Sequence, residues 1–162
     1  MVERAITTGD AAAYCTFRAD ERLFGIDVGC LREISTNTVI TPVPPAPPAV
    51  RGLANLRSRV HLVLDLRPLL GLPAAPCTPD SRLIILKPTV AEDTGLLVDR
   101  GGDILSVRRN QIDTLDKTGS SPDAPTGDQR LSLVVGVCKL ESELMMIIDA
   151  TRLGAAIAGL LR

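Results

Sequence analysis

Short aliphatic runs separated by polar, glycine or proline breaks recur along the whole chain. Two of them, Tyr14 to Arg18 and Leu23 to Asp27, flank a polar break at 19–22 and predict a β-hairpin. The stretch 31–40 is strand-like in its residue types. Further strands are predicted at 51–56, 60–66, 82–86, 95–98, 104–107, 131–140 and 144–149. Many short strands with frequent breaks favour small barrels over a parallel α/β sheet.

Three segments interrupt this strand pattern. The prolines at 42–48 lack amide donors and predict a rigid connection, interpreted as a spacer, with an SH3-type ligand as the alternative. The Pro- and Ala-rich segment 73–81 is predicted to be where two halves of the domain meet. The polar stretch Thr114 to Gln129 is predicted to be an exposed loop.

One helix is predicted at the C-terminal end. Asp149 is a suitable N-cap, and Leu153, Ile157 and Leu160 or Leu161 recur at helical spacing, which gives one apolar face. A chain of 162 residues fits a single domain. The predicted organisation is a tail at 1–11, a domain at 12–155 and the end of the helix at 156–162.

Composition and charge exclude several classes of partner. The formal net charge is -1, which argues against an electrostatic grip on nucleic acid or anionic lipid. Only 2% of residues are aromatic, so stacking surfaces for bases or flat cofactors are scarce. The chain has neither a signal-peptide pattern nor an apolar stretch near the ~20 residues of a membrane span. A cytoplasmic protein without membrane insertion is predicted.

Residues able to perform catalysis are few. His61 is the only histidine, and it lies in an aliphatic run where a structural role is the preferred interpretation. As a general base it would serve Cys15, Cys30 or Ser58, which leaves a small hydrolase as an alternative. The cysteines lack metal-ligand spacing and are interpreted as buried or incidental thiols: Cys15, Cys30, Cys77 and Cys138. No metal is predicted.

Two aspartates end aliphatic runs. Asp65 and Asp99 are predicted to cap turns by accepting backbone amides. The Gly101-Gly102 pair is too short for a phosphate cradle, so no cofactor is predicted.

An ordered set of motifs gives the strongest indication of function. Residues 52–57, followed by 63–67, match the pattern G-x-x-N-L-R-G and P-V-x-D-L-R; 31–34 matches V-x-E-I, and 95–99 matches G-x-x-V-D. Gly136-Val137 and residues 147–149 match a closing hairpin. Over about residues 12 to 155 the chain resembles the CheW family of chemotaxis coupling proteins. The residues that carry the motif framework are Gly52, Asn55, Leu56, Asp65, Gly95, Asp99 and Gly136.

This resemblance implies an all-β fold of two small five-stranded β-barrel subdomains that share an aliphatic core, with a short C-terminal helix. It implies a non-enzymatic adaptor that couples methyl-accepting chemoreceptors to a CheA-type histidine kinase. The expected partners are the kinase regulatory domain and the receptor cytoplasmic hairpin. The receptor groove is expected to include Leu31, Glu33 and Arg57, while an internal salt bridge from Arg57 to Glu33 or Asp65 is the structural alternative.

The sequence departs from the family pattern at three places. Ser58 replaces a glycine, His61-Leu62 replaces an aliphatic-Pro pair, and Gly101 replaces an aliphatic residue. If the replaced glycine serves a turn with positive φ, Ser58 carries a conformational cost. These departures leave open a divergent scaffold of another chemosensory pathway that binds kinase but not receptor. A small-ligand-binding barrel is a further class, which a filled interior would disfavour.

Overall fold

The computed structural model describes residues 11–36, 38–115 and 133–160. Within those ranges the chain is mostly β-structure with two α-helices. The strands are β1 (Ala11–Ala19), β2 (Arg22–Asp27), β3 (Leu31–Ser35), β4 (Val50–Leu56), β5 (Arg59–Asp65), β6 (Arg82–Leu86), β7 (Thr94–Val98), β8 (Arg100–Arg108), β9 (Ile112–Thr114), β10 (Val134–Lys139) and β11 (Leu144–Ile148). The helices are α1 (Leu66–Leu69) and α2 (Ala150–Leu160).

The first sheet has the strand order β8-β1-β2-β11-β10-β9. All its pairs are antiparallel except β2 with β11. Only the 3-10 turn Arg109–Gln111 separates β8 from β9. The two therefore form one bent strand that pairs with β1 at one end and with β10 at the other. This strand closes the sheet into a barrel, and counting it once leaves five strands around the barrel.

The second sheet has the order β3-β6-β7-β5-β4, in which only β5 and β7 are parallel. Its edge strands approach each other, because Thr41, which follows β3, exchanges backbone hydrogen bonds of 2.8 and 2.9 Å with Leu53 of β4. The side chains of Glu33 and Arg57 add a contact of 2.9 Å between the same two edges. The predicted all-β fold of two small barrels is confirmed.

The two barrels do not follow each other along the chain. The second sheet is formed by residues 31–98, which are inserted between β2 and β8 of the first sheet. The segment 73–81 joins α1 to β6, and strands on both sides of it belong to the second sheet. The prediction that the two halves meet there is therefore wrong. Prolines mark an exposed connection, but they carry no information about which sheet the flanking strands enter.

Among the residues that the structure describes, three apolar clusters form the core. The largest lies between the sheets and contains residues of both, including Phe17, Leu64 and Leu96. Each barrel also has its own interior, filled by the side chains of Leu23, Val107, Cys138, Met145 and Ile147 in the first and of Ala54, Val63, Leu83, Ile85 and Leu97 in the second. These filled interiors are the packing expected of small barrels without a ligand chamber.

The strand β6 shows why the sequence lacks clear alternation there. Ile84 and Leu86 belong to the cluster between the sheets, whereas Leu83 and Ile85 belong to the interior of the second barrel. Both faces of the strand are therefore apolar, and the strand is a continuous aliphatic run.

The hairpins β1–β2 and β4–β5 turn through residues in the left-handed region of φ and ψ. Asp20 and Glu21 connect β1 to β2 with φ of 52° and 63°, and Arg57 and Ser58 connect β4 to β5 with φ of 53° and 65°. Two residues with positive φ are the requirement of a type I′ hairpin turn. Ser58 thus occupies a position that favours glycine, as the sequence departure suggested.

Gly52 allows the proline-rich connection to lie against β4. Its φ is 142°, and a Cβ there would lie 2.1 Å from the carbonyl oxygen of Thr41. Every residue with a side chain would therefore push the connection away from the sheet.

The C-terminal helix forms as predicted. The amide of Arg152 donates to Asp149 Oδ1 at 3.0 Å, and Leu153 and Ile157 are buried. Strand β9 was not predicted. The predicted loop from Thr114 to Gln129 and the tail at 1–11 lie almost entirely outside the described residues, as does Leu161. In the described ranges, no helix has the length and apolar character needed to cross a membrane.

Candidate partner-binding site

Glu33 and Arg57 form an ion pair where the edge strand β3 of the second barrel meets the β4–β5 turn, and it is referred to below as the mouth pair. Arg57 Nη2 lies 2.9 Å from Glu33 Oε2. The Arg57 side chain is 83% exposed and that of Glu33 is 30% exposed. Of the two internal partners that the sequence left open for Arg57, the structure selects Glu33. The pair is accessible from solvent, so internal pairing and partner binding are compatible.

Leu31 lies on the same strand but on its other face. Leu31 is paired with Leu86 and Glu33 with Ile85, and the register of β3 shifts between them. Residues directly opposite each other project to the same face of a sheet. Leu31 therefore faces the cluster between the sheets, against which it packs half-buried, while Glu33 lies on the face that Ile85 turns toward the interior of the second barrel. The three residues predicted for the receptor groove lie on one strand and one turn, but on two surfaces.

The turn that carries Arg57 is held from both sides. The paired residues Leu56 and Arg59 flank it, and Arg59 Nε lies 2.6 Å from Asp93 Oδ1. The amide of Leu62 donates to the carbonyl of Asp93 at 2.8 Å. A proline at 62, as the family pattern has, could not make this bond. The leucine at this position therefore adds a backbone hydrogen bond between β5 and the residues before β7.

A second charged group lies where the chain passes between the sheets, and it is referred to below as the junction cluster. Arg67 binds Asp99 in a bidentate manner, with Nε to Oδ1 at 2.9 Å and Nη2 to Oδ2 at 2.7 Å. Asp99 also accepts the backbone amide of Asp20 at 2.8 Å. Asp99 connects β7 to β8, and Asp20 belongs to the first hairpin, so the cluster ties the two sheets together.

Asp65 and Arg51 complete the junction cluster. Asp65 Oδ1 accepts the amide of Arg67 at 3.0 Å and caps α1, and Asp65 Oδ2 lies 3.2 Å from Arg51 Nε. The capping contacts of Asp65 and Asp99 are of the type expected from the sequence. The two arginines were not singled out there. A signal existed, because Arg67 lies two residues after a carboxylate that ends a buried strand.

The pKa values of Asp65 and Asp99, two carboxylates of the junction cluster, are shifted in opposite directions. Burial raises the pKa of Asp65, against the opposing effects of the Arg67 amide and the Arg51 charge. Burial also acts to raise the pKa of Asp99, but its hydrogen bonds to Arg67 and to the Asp20 amide outweigh burial and bring the pKa below its usual value. The better-paired carboxylate is thus the one whose charge is favoured.

His61 is a structural residue of the second barrel. It is 4% exposed, and its Nδ1 lies 3.1 Å from the carbonyl oxygen of Arg59. His61 makes no hydrogen bond to Cys15, Cys30 or Ser58, all of which lie in the described part of the chain. Burial raises the pKa values of Cys15 and Cys30, which keeps these thiols protonated and poorly nucleophilic.

The remaining motif residues shape the sheets. Asn55 is exposed on β4, and Leu56 packs half-buried against the interior of the second barrel. A Cβ at Gly95 would lie 2.8 Å from Leu83 Cδ1, so β7 needs a small residue there. Gly136 lies where the register of β10 with β11 shifts. Together with Gly52, these residues allow close packing.

Comparisons with known proteins agree with this architecture. The family model described as "CheW-like domain" matches residues 13–157. "Chemotaxis protein CheW" of Rhizobium meliloti (strain 1021) is 32% identical over 133 residues, which are 82% of this chain and 81% of that protein. "Chemotaxis protein CheW" of Bacillus subtilis (strain 168) is 31% identical over 134 residues, 83% of this chain and 81% of that protein.

The fold is also similar to that of a solved structure. The crystal structure of the scaffolding protein TtCheW from Thermoanaerobacter tengcongensis superposes with a TM-score of 0.70 at 27% identity, covering 85% of this chain and 88% of that one. The family match spans both barrels and the C-terminal helix. The chain therefore belongs to the CheW-like domain family of non-enzymatic chemotaxis adaptors.

Proposed function

We propose that this chain is a cytoplasmic adaptor that links the cytoplasmic hairpin of a methyl-accepting chemoreceptor to the regulatory domain of a CheA-type histidine kinase. Leu31, Glu33 and Arg57 form the receptor contact. The observation that carries this assignment is the mouth pair, in which a guanidinium 83% exposed to solvent is held 2.9 Å from a carboxylate of the neighbouring strand.

The chemistry of Arg57 suits partner binding. A guanidinium is permanently charged and presents a planar fork of donors that matches a carboxylate or backbone carbonyls. The Glu33 contact and the tight turn fix its position before a partner arrives, which lowers the entropy lost on binding. The half-buried Leu31 supplies an apolar surface on the other face of β3.

Arg57→Ala tests the proposal. The variant is expected to keep its circular-dichroism spectrum and nearly the same melting temperature. Its affinity for a purified receptor hairpin should fall at least about tenfold, since truncating an interface anchor costs on the order of 2 kcal/mol. Kinase binding should be largely retained. Isothermal titration calorimetry of the full chain with each partner measures the receptor affinity and the kinase affinity.

Arg100→Ala is the matched control. Arg100 lies in β8 of the first barrel, is 49% exposed and also pairs with a carboxylate, because its Nη2 lies 3.7 Å from Glu21 Oε2. It should leave receptor affinity within about twofold, well under the loss at an anchor. Equal losses in both variants, or loss of both partners together with early melting in Arg57→Ala, would contradict the assignment of the receptor contact. Wild-type protein that binds kinase but no receptor hairpin would instead indicate the divergent scaffold.

A further inference from the structure

The connection between α1 and β6 has a regular proline spacing. Pro73, Pro76 and Pro79 recur every third residue, and residues 73–79 are referred to below as the proline strap. Each proline fixes its own φ, and each disfavours helical conformation in the residue before it. A spacing of three places all three rings along one edge of a polyproline II helix, which has three residues per turn.

The segment has no helix or strand of its own, and most of it is accessible. Residues 72–78 contain neither a bend nor a turn, and a turn begins at Pro79. The three prolines are exposed, as are Ala74, Cys77 and Thr78. A row of pyrrolidine rings therefore faces solvent.

Three arginine side chains hold the proline strap by its backbone. Arg67 Nη1 donates to the carbonyl of Pro73 at 3.0 Å, and Arg82 Nη1 donates to that of Pro79 at 3.0 Å. Arg51 Nη2 donates to the carbonyl of Ala75 between them. Two of these arginines belong to the junction cluster. The strap is thus fixed at its start, middle and end by the second barrel, while its rings remain uncovered.

The other proline-rich connection, residues 42–48, lacks this geometry. It bends at Pro44 and Pro45, turns at Pro48, and is paired to β4 through Thr41. The carbonyl of Pro47 accepts the amide of Val50 at 2.9 Å. Its course follows the barrel surface, as expected of a spacer.

We propose that the proline strap is a preformed polyproline II recognition segment for a partner with an aromatic-lined groove of the SH3 or WW type. Such grooves bind proline rings spaced by three residues between aromatic side chains. The three arginine contacts order the strap in advance, so that binding loses little conformational entropy. This contact does not include the proposed receptor residues and adds a third kind of partner.

The tryptophan fluorescence of the partner's aromatic groove provides a direct test. The full chain contains no tryptophan, so emission in a mixture reports only on the tryptophans of a purified SH3 or WW domain used as probe. Wild-type protein is expected to shift the emission of at least one probe in a saturable manner. Pro76→Ala should weaken this binding at least about fivefold, as expected for loss of a central contact. Pro48→Ala, an exposed proline of the other connection, is the control and should stay within about twofold.

Amide chemical shifts of the labelled full chain locate the contact. On titration with the same probe, the largest changes are expected at Ala74, Ala75, Cys77 and Thr78. The absence of an emission change for either probe at about 1 mM of the chain would mean that the dissociation constant exceeds that concentration. Such binding is weaker than specific recognition of this kind, and the result would overturn the proposal. Equal weakening by Pro76→Ala and Pro48→Ala, or shift changes centred on 42–48, would do the same.

Discussion

The junction cluster and the mouth pair consist of the same residue types, but they differ in burial. At the junction, Arg67 is 15% exposed and bound in a bidentate manner, and its partner Asp99 also accepts a backbone amide of the other sheet. At the mouth, Arg57 lies in an exposed turn, and within the described ranges its ion pair is the one with Glu33. Charged pairs that are partly withdrawn from water and share several hydrogen bonds contribute to stability, whereas exposed pairs contribute under about 1 kcal/mol.

The difference separates residues that hold the fold from residues that are available to a partner. The junction cluster pairs its charges internally and sits beside the shared apolar core. The mouth pair leaves donors of Arg57 facing solvent. Substitutions at the junction should therefore act on the free energy of unfolding, and substitutions at the mouth should act on binding.

The largest effect is expected from the apolar core beside the junction. Leu64 is fully buried in the cluster between the sheets. Leu64→Ala should lower the free energy of unfolding by about 2–5 kcal/mol, because it removes buried surface and leaves a cavity. Urea denaturation of the variant measures this loss. Leu53→Ala, on the exposed face of the neighbouring strand, is the control and should cost less than about 1 kcal/mol. An unchanged midpoint for Leu64→Ala would show that the core has been misplaced.

The next effect concerns Asp99. Asp99→Asn keeps an acceptor but removes the charge that Arg67 binds, and it should cost about 1–2 kcal/mol at neutral pH. Because the folded pKa of Asp99 is lowered, its contribution is present above the unfolded pKa of about 4 and is lost as pH falls through the folded pKa. The stability difference between wild type and Asp99→Asn should therefore shrink on acidification.

Asp65→Asn should show the opposite slope. The folded pKa of Asp65 is raised by burial, so wild type loses stability as pH rises from the unfolded pKa of about 4 through the folded pKa. The disadvantage of Asp65→Asn relative to wild type should thus decrease as pH rises. Urea midpoints measured from about pH 3.5 to 7 decide both cases, and parallel slopes for the two variants would contradict the opposite shifts.

A smaller effect of the opposite sign is expected at the mouth. Ser58→Gly removes the cost of positive φ from an L-residue and should raise the free energy of unfolding by about 0.5–1 kcal/mol. Ser106→Gly, at an exposed position within β8, is the matched control and should lower it by a similar amount. Thermal melts of both variants provide the measurement. A destabilised Ser58→Gly would mean that the serine makes a contact that outweighs its backbone cost.

The smallest effect on stability is expected from Glu33→Gln. The substitution removes the negative charge from the mouth pair. Because Arg57 is 83% exposed, the free energy of unfolding should fall by less than about 1 kcal/mol. Differential scanning calorimetry should find a melting temperature within a few degrees of wild type. A loss as large as that of Asp99→Asn would remove the contrast between mouth and junction.

Local patterns predicted the strands well, because each aliphatic run has the length and breaks of a strand. The hairpin β1–β2, the runs that became β4 to β7 and the C-terminal helix are confirmed. Strand β9 was missed because it has three residues and depends on pairing with β10. The insertion of one barrel into the other was also missed, since the parallel pair β2–β11 joins residues over a hundred positions apart and leaves no local signal.

Charged partners could be predicted only in part. Glu33 was one of two candidate ion-pair partners for Arg57. The two residues pair because closure of the second barrel brings β3 close to the β4–β5 turn. Asp65 instead pairs with Arg51, a contact that depends on how β4 and β5 pair. The bulge that separates Leu31 from Glu33 likewise arises from pairing with β6, so sequence spacing alone suggested a single surface.

The parallel pairing of β2 with β11 also sets the order in which the chain is able to fold on the ribosome. Residues 23–26 pair with 145–148, so the first barrel cannot close until residue 148 has been synthesised. The strands of the second barrel are complete by residue 98. All strands of the inserted barrel are therefore available to pair before the first barrel is able to close. In the complete fold β1 and β2 cover the apolar face of the inserted barrel together with β11 and α2, so the C-terminal segment completes a core that the N-terminal strands share.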